Sequence, residues 1–277
     1  MRLQYARRVP LSSRRLLFAS LRASQWGHFA FLPWMGVERG RPVPWGSVAL
    51  ALTSAAGSLA FAYGLNAVVE RGTDRSAQKN PLVARPAEAP AVLRLVLLCA
   101  LLAFAGSALV GTWAAACMLV SLACGALYSV GLRAKHIPFV GLVFNAGIFV
   151  PLGLLLLSGR SGRAWVAELA LFGSLLTQNQ LAHELADAAE DRAAGARTTA
   201  GLLGRRGARV AMGLVGFAGL AGVAGQRVER VAIALVTCLV CALVVVVARR
   251  PARARRLHRY AALAGGAALH GVSWWGA

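Results

Sequence analysis

Apolar residues run through this chain in long blocks, not in the alternating or one-faced patterns of soluble strands and helices. Largely apolar stretches begin near residues 16, 46, 91, 113, 138, 164, 208, 231 and 259. Each leaves room for the roughly 20 residues a helix needs to cross a bilayer. A helix satisfies its own backbone hydrogen bonds in lipid, so the pattern predicts an all-α, multi-pass integral membrane bundle of about nine transmembrane helices. Spans of that length use roughly two-thirds of the chain, and no sizeable water-facing domain fits beside them. The expectation is one membrane-embedded domain over residues 1–277. The first stretch, 16–37, carries Arg22, Gln25 and His28, and no small-residue cleavage site follows it, so it reads as a span and not as a signal peptide.

Composition agrees, with 58% hydrophobic and 14% charged residues. The formal net charge of +20 would suggest nucleic acid in a soluble chain. Here the basic residues lie between apolar runs, where anionic headgroups are the nearer partner. With nine spans and the N-terminus inside, 24 of the 30 Lys and Arg residues fall on the cytoplasmic side, as positive-inside topology requires. The C-terminus is then outside, and the expected location is a prokaryotic cell (inner) membrane. The five cysteines, Cys99, Cys117, Cys124, Cys238 and Cys241, all lie within apolar runs, which supports neither a disulfide framework nor a Cys-rich zinc site.

Six of the ten acidic residues fall in two clusters: Glu70 and Asp74 where the second span ends, and Glu184, Asp187, Glu190 and Asp191 where the sixth ends. Both ends are cytoplasmic in this topology. Ionisable groups at membrane depth are costly and usually face a bundle interior or a watery cavity. Asn66, Glu70 and Asp74 stand at i, i+4 and i+8, and Gln180, Glu184, Asp187 and Asp191 at i, i+4, i+7 and i+11, so each set forms one polar stripe on a helix. Facing stripes repel, by about 3 kcal/mol for each pair of charges ~5 Å apart at an effective dielectric of 20. Something positive must therefore sit between them. Carboxylate and amide oxygens suit magnesium, which keeps several waters and bridges a few carboxylates to substrate phosphates. The implied ligand is a magnesium-bound phosphate or diphosphate. The alternative is that the acids only balance nearby arginines at headgroup level.

The run GLNAVVERGTDRSAQKNPLV resembles the first aspartate-rich motif of the UbiA superfamily of intramembrane prenyltransferases, and HELADAAEDRAAGARTTAGLLG resembles its second. LYSVGLRAKHIPFVG is similar to that family's segment between the fourth and fifth helices, and SQWGHFAFLP to the start of some members. The resemblance implies transfer of an isoprenoid from an allylic prenyl diphosphate to an acceptor, with Mg2+ as cofactor. It maps Asn66, Glu70 and Asp74 onto the first motif's metal ligands and Asp187 and Asp191 onto the second's. Asp74, Asp187 and Asp191 are then catalytic together with Lys135 and Tyr128. Trp26, Phe29, Phe31, Tyr63 and Phe144 are candidates for an aromatic wall that shields a carbocation. The chain departs from the pattern in three places: Glu70 stands where Asp is usual, Ala67 replaces an acid, and Gly27 replaces a lysine. Gly72 tends to end a helix, which would leave Asp74 in the loop.

The only two lysines, Lys79 and Lys135, both fall in cytoplasmic segments, where a compact ammonium with three donors suits a diphosphate oxygen. Arg133, Arg192 and Arg197 are further candidates for substrate contact, with Glu184 on the second stripe and Tyr128 as a donor to the leaving group. His183 could orient the acceptor. Residues 248–259, ARRPARARRLHR, read as a loop that binds headgroups and sets topology. No zinc-spaced His pair, nucleophile elbow or P-loop is present. Expected partners are a prenyl diphosphate, a small-molecule or lipid acceptor and membrane lipids. A terpene cyclase of the same fold, and a non-enzymatic multi-pass transporter or lipid-binding protein, are the alternatives.

Overall fold

The computed structural model describes residues 13–37, 43–74, 77, 80–157, 163–193, 195–223, 228–247 and 251–275. No strand occurs among them. The long helices are α3 (Trp45–Glu70), α4 (Ala89–Val110), α5 (Thr112–Ser129), α6 (Val140–Gly153), α7 (Arg163–Ala193), α8 (Thr199–Val223), α9 (Val228–Val247) and α10 (Pro251–Trp275). Three stretches, Trp45–Glu70, Pro86–Val110 and Thr112–Ser129, are by themselves long and apolar enough to cross a membrane, and Val140–Gly153 is shorter but apolar.

The first expected span, 16–37, is not one helix. It consists of α1 (Ser13–Ser20), α2 (Ala23–Trp26) and a 3-10 helix over Gly27–Gly36. Arg22 breaks it by adopting a left-handed backbone, φ 56°, while the Arg22 N–H closes α1 on the Ala19 carbonyl at 3.1 Å. Pro33 lies inside the 3-10 segment and lacks the N–H an α-helix would use there. The last helix also differs from expectation, because it starts at Pro251 and not near 259. Proline suits a first helical turn, where its missing N–H would have no partner anyway, and it brings the basic block into the helix.

Sequential helices pack as hairpins, α3 on α4, α5 on α6, α7 on α8 and α9 on α10. Contacts of α6 with α7 join the N-terminal group to the C-terminal one, and α10 packs on α7 within the latter. The N-terminal half buries Leu59, Met118 and Leu152 in one core and Leu82, Val92 and Val96 in another. In the C-terminal half Leu171, Leu175, Cys238 and Cys241 pack together. Buried hydroxyls join helices where lipid offers no water. Ser58 and Ser121 lie 2.9 Å apart, and Ser121 donates to the Ile148 carbonyl at 2.7 Å, tying α3, α5 and α6. A deeper tie crosses the C-terminal half. Gln178 donates from Nε2 to the Met212 carbonyl at 2.8 Å and meets His258 Nε2 through Oε1 at 3.0 Å, linking α7, α8 and α10. Gln178 is 1% exposed and His258 0%.

Candidate active site

The two polar stripes line one cavity of about 330 Å³, together with the α1–α2 turn, α5, α6 and α10. On α3, Asn66 Nδ2 donates to Glu70, which fixes the side-chain pair. Lys135, from the turn between α5 and α6, reaches across and donates from Nζ to Asn66 Oδ1 at 2.9 Å and to Glu70 Oε1. Ser129 adds a weaker bond to Asn66 Oδ1 at 3.3 Å. The positive charge that the first stripe requires is thus supplied in part by the protein. Arg133 precedes Lys135 with φ 47°. This turn leaves Arg133 exposed while Lys135 and His136 line the cavity. Burial, with Lys135 and Arg133 close by, holds His136 below the ordinary imidazole range, so it is uncharged at neutral pH.

Asp74 sits apart from this lining. The helix ends at Glu70, the turn over Arg71–Thr73 follows, and the Asp74 N–H donates to the Glu70 carbonyl at 2.8 Å. The fully buried Asn80 braces the turn, donating to Asp74 Oδ2 at 3.0 Å and to the Ala67 carbonyl at 2.8 Å. Asn80 also accepts from the Leu82 N–H at 3.1 Å. An Asn followed by Pro81 at a first helical turn is the sequence signal for this brace. Lys79 lies outside the described residues.

On α7, Gln180 Nε2 donates to Tyr128 Oη at 3.1 Å and contacts Glu184 Oε1 at 3.4 Å. Glu184 is 6% exposed and accepts from the Ala200 N–H at 2.9 Å. Its carboxylate therefore caps the start of α8, where open N–H groups and the helix dipole favour negative charge. Glu184 also lines the cavity. His183 Nδ1 lies 3.4 Å from Asp187 Oδ2. Asp187 and Asp191 both line the cavity. Arg192 and Arg197 are exposed at and beyond the end of α7, and neither they nor Arg133 lines the cavity. Among the described residues no three His, Cys, Asp or Glu side chains already converge as a metal-holding group.

Of the expected aromatic wall, Phe29 and Tyr63 line the cavity. Phe29 stacks edge-on against Phe149 with ring centroids 4.7 Å apart. Trp26 is 7% exposed and donates to the Leu21 carbonyl at 2.5 Å, holding the α1–α2 turn. Phe31 is 67% exposed and is not part of the lining, nor is Phe144. Arg22 and Arg255 also face the cavity. Local spacing singles out neither, since Arg22 stands alone within the first apolar stretch and Arg255 lies in the basic run that reads as headgroup-binding.

The model of the UbiA prenyltransferase family matches residues 28–273. The chain belongs to that family. This UbiA-family protein is similar in structure to the UbiA homologue from Archaeoglobus fulgidus bound to GPP and Mg2+ (TM-score 0.73, 18% identity, covering 92% of this chain and 99% of that one). It is also similar to the digeranylgeranylglyceryl phosphate synthase structure (TM-score 0.71, 9% identity, 94% and 100%). A third likeness is to the apo UbiA homologue from Aeropyrum pernix K1 (TM-score 0.64, 20% identity, 94% and 97%). At these identities the likeness shows the fold, an integral membrane bundle of UbiA type. No curated protein matches the chain.

Proposed function

We propose that this protein transfers an isoprenoid group from an allylic prenyl diphosphate to an acceptor within the membrane, in a magnesium-dependent reaction. One observation carries the proposal: oxygen-bearing stripes from α3 and α7 share a cavity with Lys135 and with the aromatic rings of Phe29 and Tyr63. Binding of GPP and Mg2+ by the Archaeoglobus fulgidus homologue supports it. The donor set fits the ion, since Glu70, Asp187 and Asp191, with Asn66, offer hard oxygens and leave positions for phosphate and water. When bound, magnesium neutralises the diphosphate and assists its departure.

The chain's own groups do the remainder. Lys135 donates to a diphosphate oxygen, and Tyr128, held by Gln180, stands near the leaving group. Asp74 and Asn80 fix the turn below the first stripe. The allylic C–O bond breaks with its electron pair leaving on the diphosphate. The acceptor nucleophile supplies the pair for the new bond, and its proton departs with the released diphosphate. Phe29 and Tyr63 line the cavity in which the carbocation forms, and help shield it from water. The charge asymmetry of the loops supports a cavity mouth facing the cytoplasm of a prokaryotic cell.

The test is diphosphate release by detergent-purified protein given magnesium and allylic diphosphates of several lengths, followed by a screen of acceptors. Asp187→Asn and Asp191→Asn should each lower turnover at least ~100-fold, the loss expected when several kcal/mol of transition-state stabilisation disappear. Near-normal, chelator-resistant release by the double variant would end the proposal.

A further inference from the structure

The lining of the cavity changes character with depth. On α3 it is formed by Glu70, Asn66 and Ala62, and on α7 the acids Asp187 and Asp191 give way to Leu176. On both helices the acids stand at the C-terminal end, and the apolar residue lies about two to three turns before the nearer of them. The α6 helix runs the other way. It begins at Val140, soon after Lys135 has bonded to the acids of α3, and Asn145 lines the cavity before Ile148 and Phe149 do. Phe29 meets Phe149 edge-on, with ring centroids 4.7 Å apart. The end of the cavity away from the acids is therefore an apolar floor.

That floor is held in place. Ser121 lies 2.9 Å from Ser58 and donates to the Ile148 carbonyl at 2.7 Å, which fixes α6 against α3 and α5 at this level. One residue earlier, Gly147 packs so closely on α5 that a Cβ would collide with the sulfur of Cys124. Phe149 is 2% exposed, and Leu59, Leu152 and Leu155, all buried, belong to the same core. An interior packed in this way has little room to yield to additional carbons.

Depth can be set against tail length. At about 1.5 Å of rise per residue, Ala62 lies about 12 Å from Glu70 along α3, and Leu176 about 16 Å from Asp187 along α7. An extended isoprenoid advances roughly 5 Å for each unit of four chain bonds. Two units span about 10 Å and three about 15 Å, and the diphosphate precedes them. A head held among the acids leaves length for two units and drives a third against the aromatic pair.

We propose that Phe149, backed by Phe29, is a stop that sets the length of the donor, so that the protein uses an allylic diphosphate of at most two isoprene units. The stop rests on the transferase reading and gives its donor a size class. A longer tail must buckle or force the core apart, and both weaken binding. A tail that left the cavity sideways into lipid would lose no affinity with length, and the experiment separates the two.

The test uses the full chain in detergent with Mg2+ and geranyl thiolodiphosphate, a donor analogue that does not ionise, together with its dimethylallyl, farnesyl and geranylgeranyl counterparts. Calorimetry gives each affinity, corrected for partition into micelles alone. Affinity should rise from dimethylallyl to geranyl and fall at least about tenfold at farnesyl, as for a pocket that rejects surplus carbons. Phe149→Leu, which lowers the floor and keeps it apolar, should raise the farnesyl-to-geranyl affinity ratio at least about tenfold. Phe149→Trp should lower the geranyl-to-dimethylallyl ratio. The two act in opposite directions, so either one that retains a cooperative thermal unfolding transition decides the matter. Farnesyl and geranylgeranyl analogues that bind as tightly as geranyl, or folded variants with unchanged ratios, would overturn the stop while donor binding stands. If no analogue of any length binds, the transferase reading falls and the stop falls with it.

Discussion

Replacing Lys135 with methionine should change two affinities in opposite directions. The ammonium is bonded to Asn66 Oδ1 at 2.9 Å and paired with Glu70, and the two side chains are 13% and 22% exposed. Opposite charges ~4 Å apart attract by about 4 kcal/mol at an effective dielectric of 20. Desolvation and residual contact with water leave a net value of about 1–3 kcal/mol for a partly buried pair. A divalent cation that uses Glu70 must displace this pairing, so the Lys135→Met variant should bind the cation about tenfold or more tightly, at 1.4 kcal/mol per factor of ten. The same change removes a charge-assisted bond to diphosphate worth about 1.5–3 kcal/mol, and donor affinity at saturating magnesium should fall more than about tenfold. The first quantity is read by titrating Mn2+ and following its free electron paramagnetic resonance signal, the second by calorimetry with geranyl thiolodiphosphate. Unchanged or weaker Mn2+ binding by Lys135→Met would refute the idea that Lys135 holds the cation's place on the first stripe.

Glu184→Gln should cost about 1 kcal/mol of stability through the weakened cap on α8, seen as a lower melting temperature, while transferase activity stays above about a tenth of normal. Loss of Mn2+ binding comparable with Asp191→Asn would instead make Glu184 a ligand. In a background freed of the five cysteines, Arg197→Cys, which is exposed just before α8, should react with membrane-impermeant maleimide only after the cytoplasmic face is opened. Labelling from outside sealed cells would reverse the topology and the side of the chemistry.

The helical bundle and both stripes were legible because each depends on short-range periodicity. An apolar run of span length and acids spaced by one helical turn carry their meaning within a few residues. The bond of Lys135 to Asn66 crosses 69 positions, and no local pattern reports whose charge neutralises whose. Arg255 was hidden for a related reason: a basic run beside an apolar one has a ready explanation in headgroups, and only the rotation of α10 shows which arginine turns inward. The broken first segment was legible in part. Arg22 and Gln25 flagged an irregular span, but hydropathy does not distinguish a 3-10 turn from an α-helical one. Asp74 was readable from Gly72, whereas its brace by Asn80 depends on a loop that folds back.

The Gln178–His258 contact also bears on how this sequence can change over time. In a lipid-surrounded interior each of these groups is the other's replacement for water, so losing one side chain leaves its partner stranded. The neighbouring Gly216 belongs to the same unit, because a Cβ there would lie 2.5 Å from Gln178 Nε2. Positions 178, 216 and 258 are therefore expected to be inherited as a set. A relative with an apolar residue at 178 is free to enlarge 216 and to lose the imidazole at 258, and with it the anchor that turns Arg255 toward the cavity. Divergence at this buried triad would then turn α10 against α7 without changing a residue of the cavity lining.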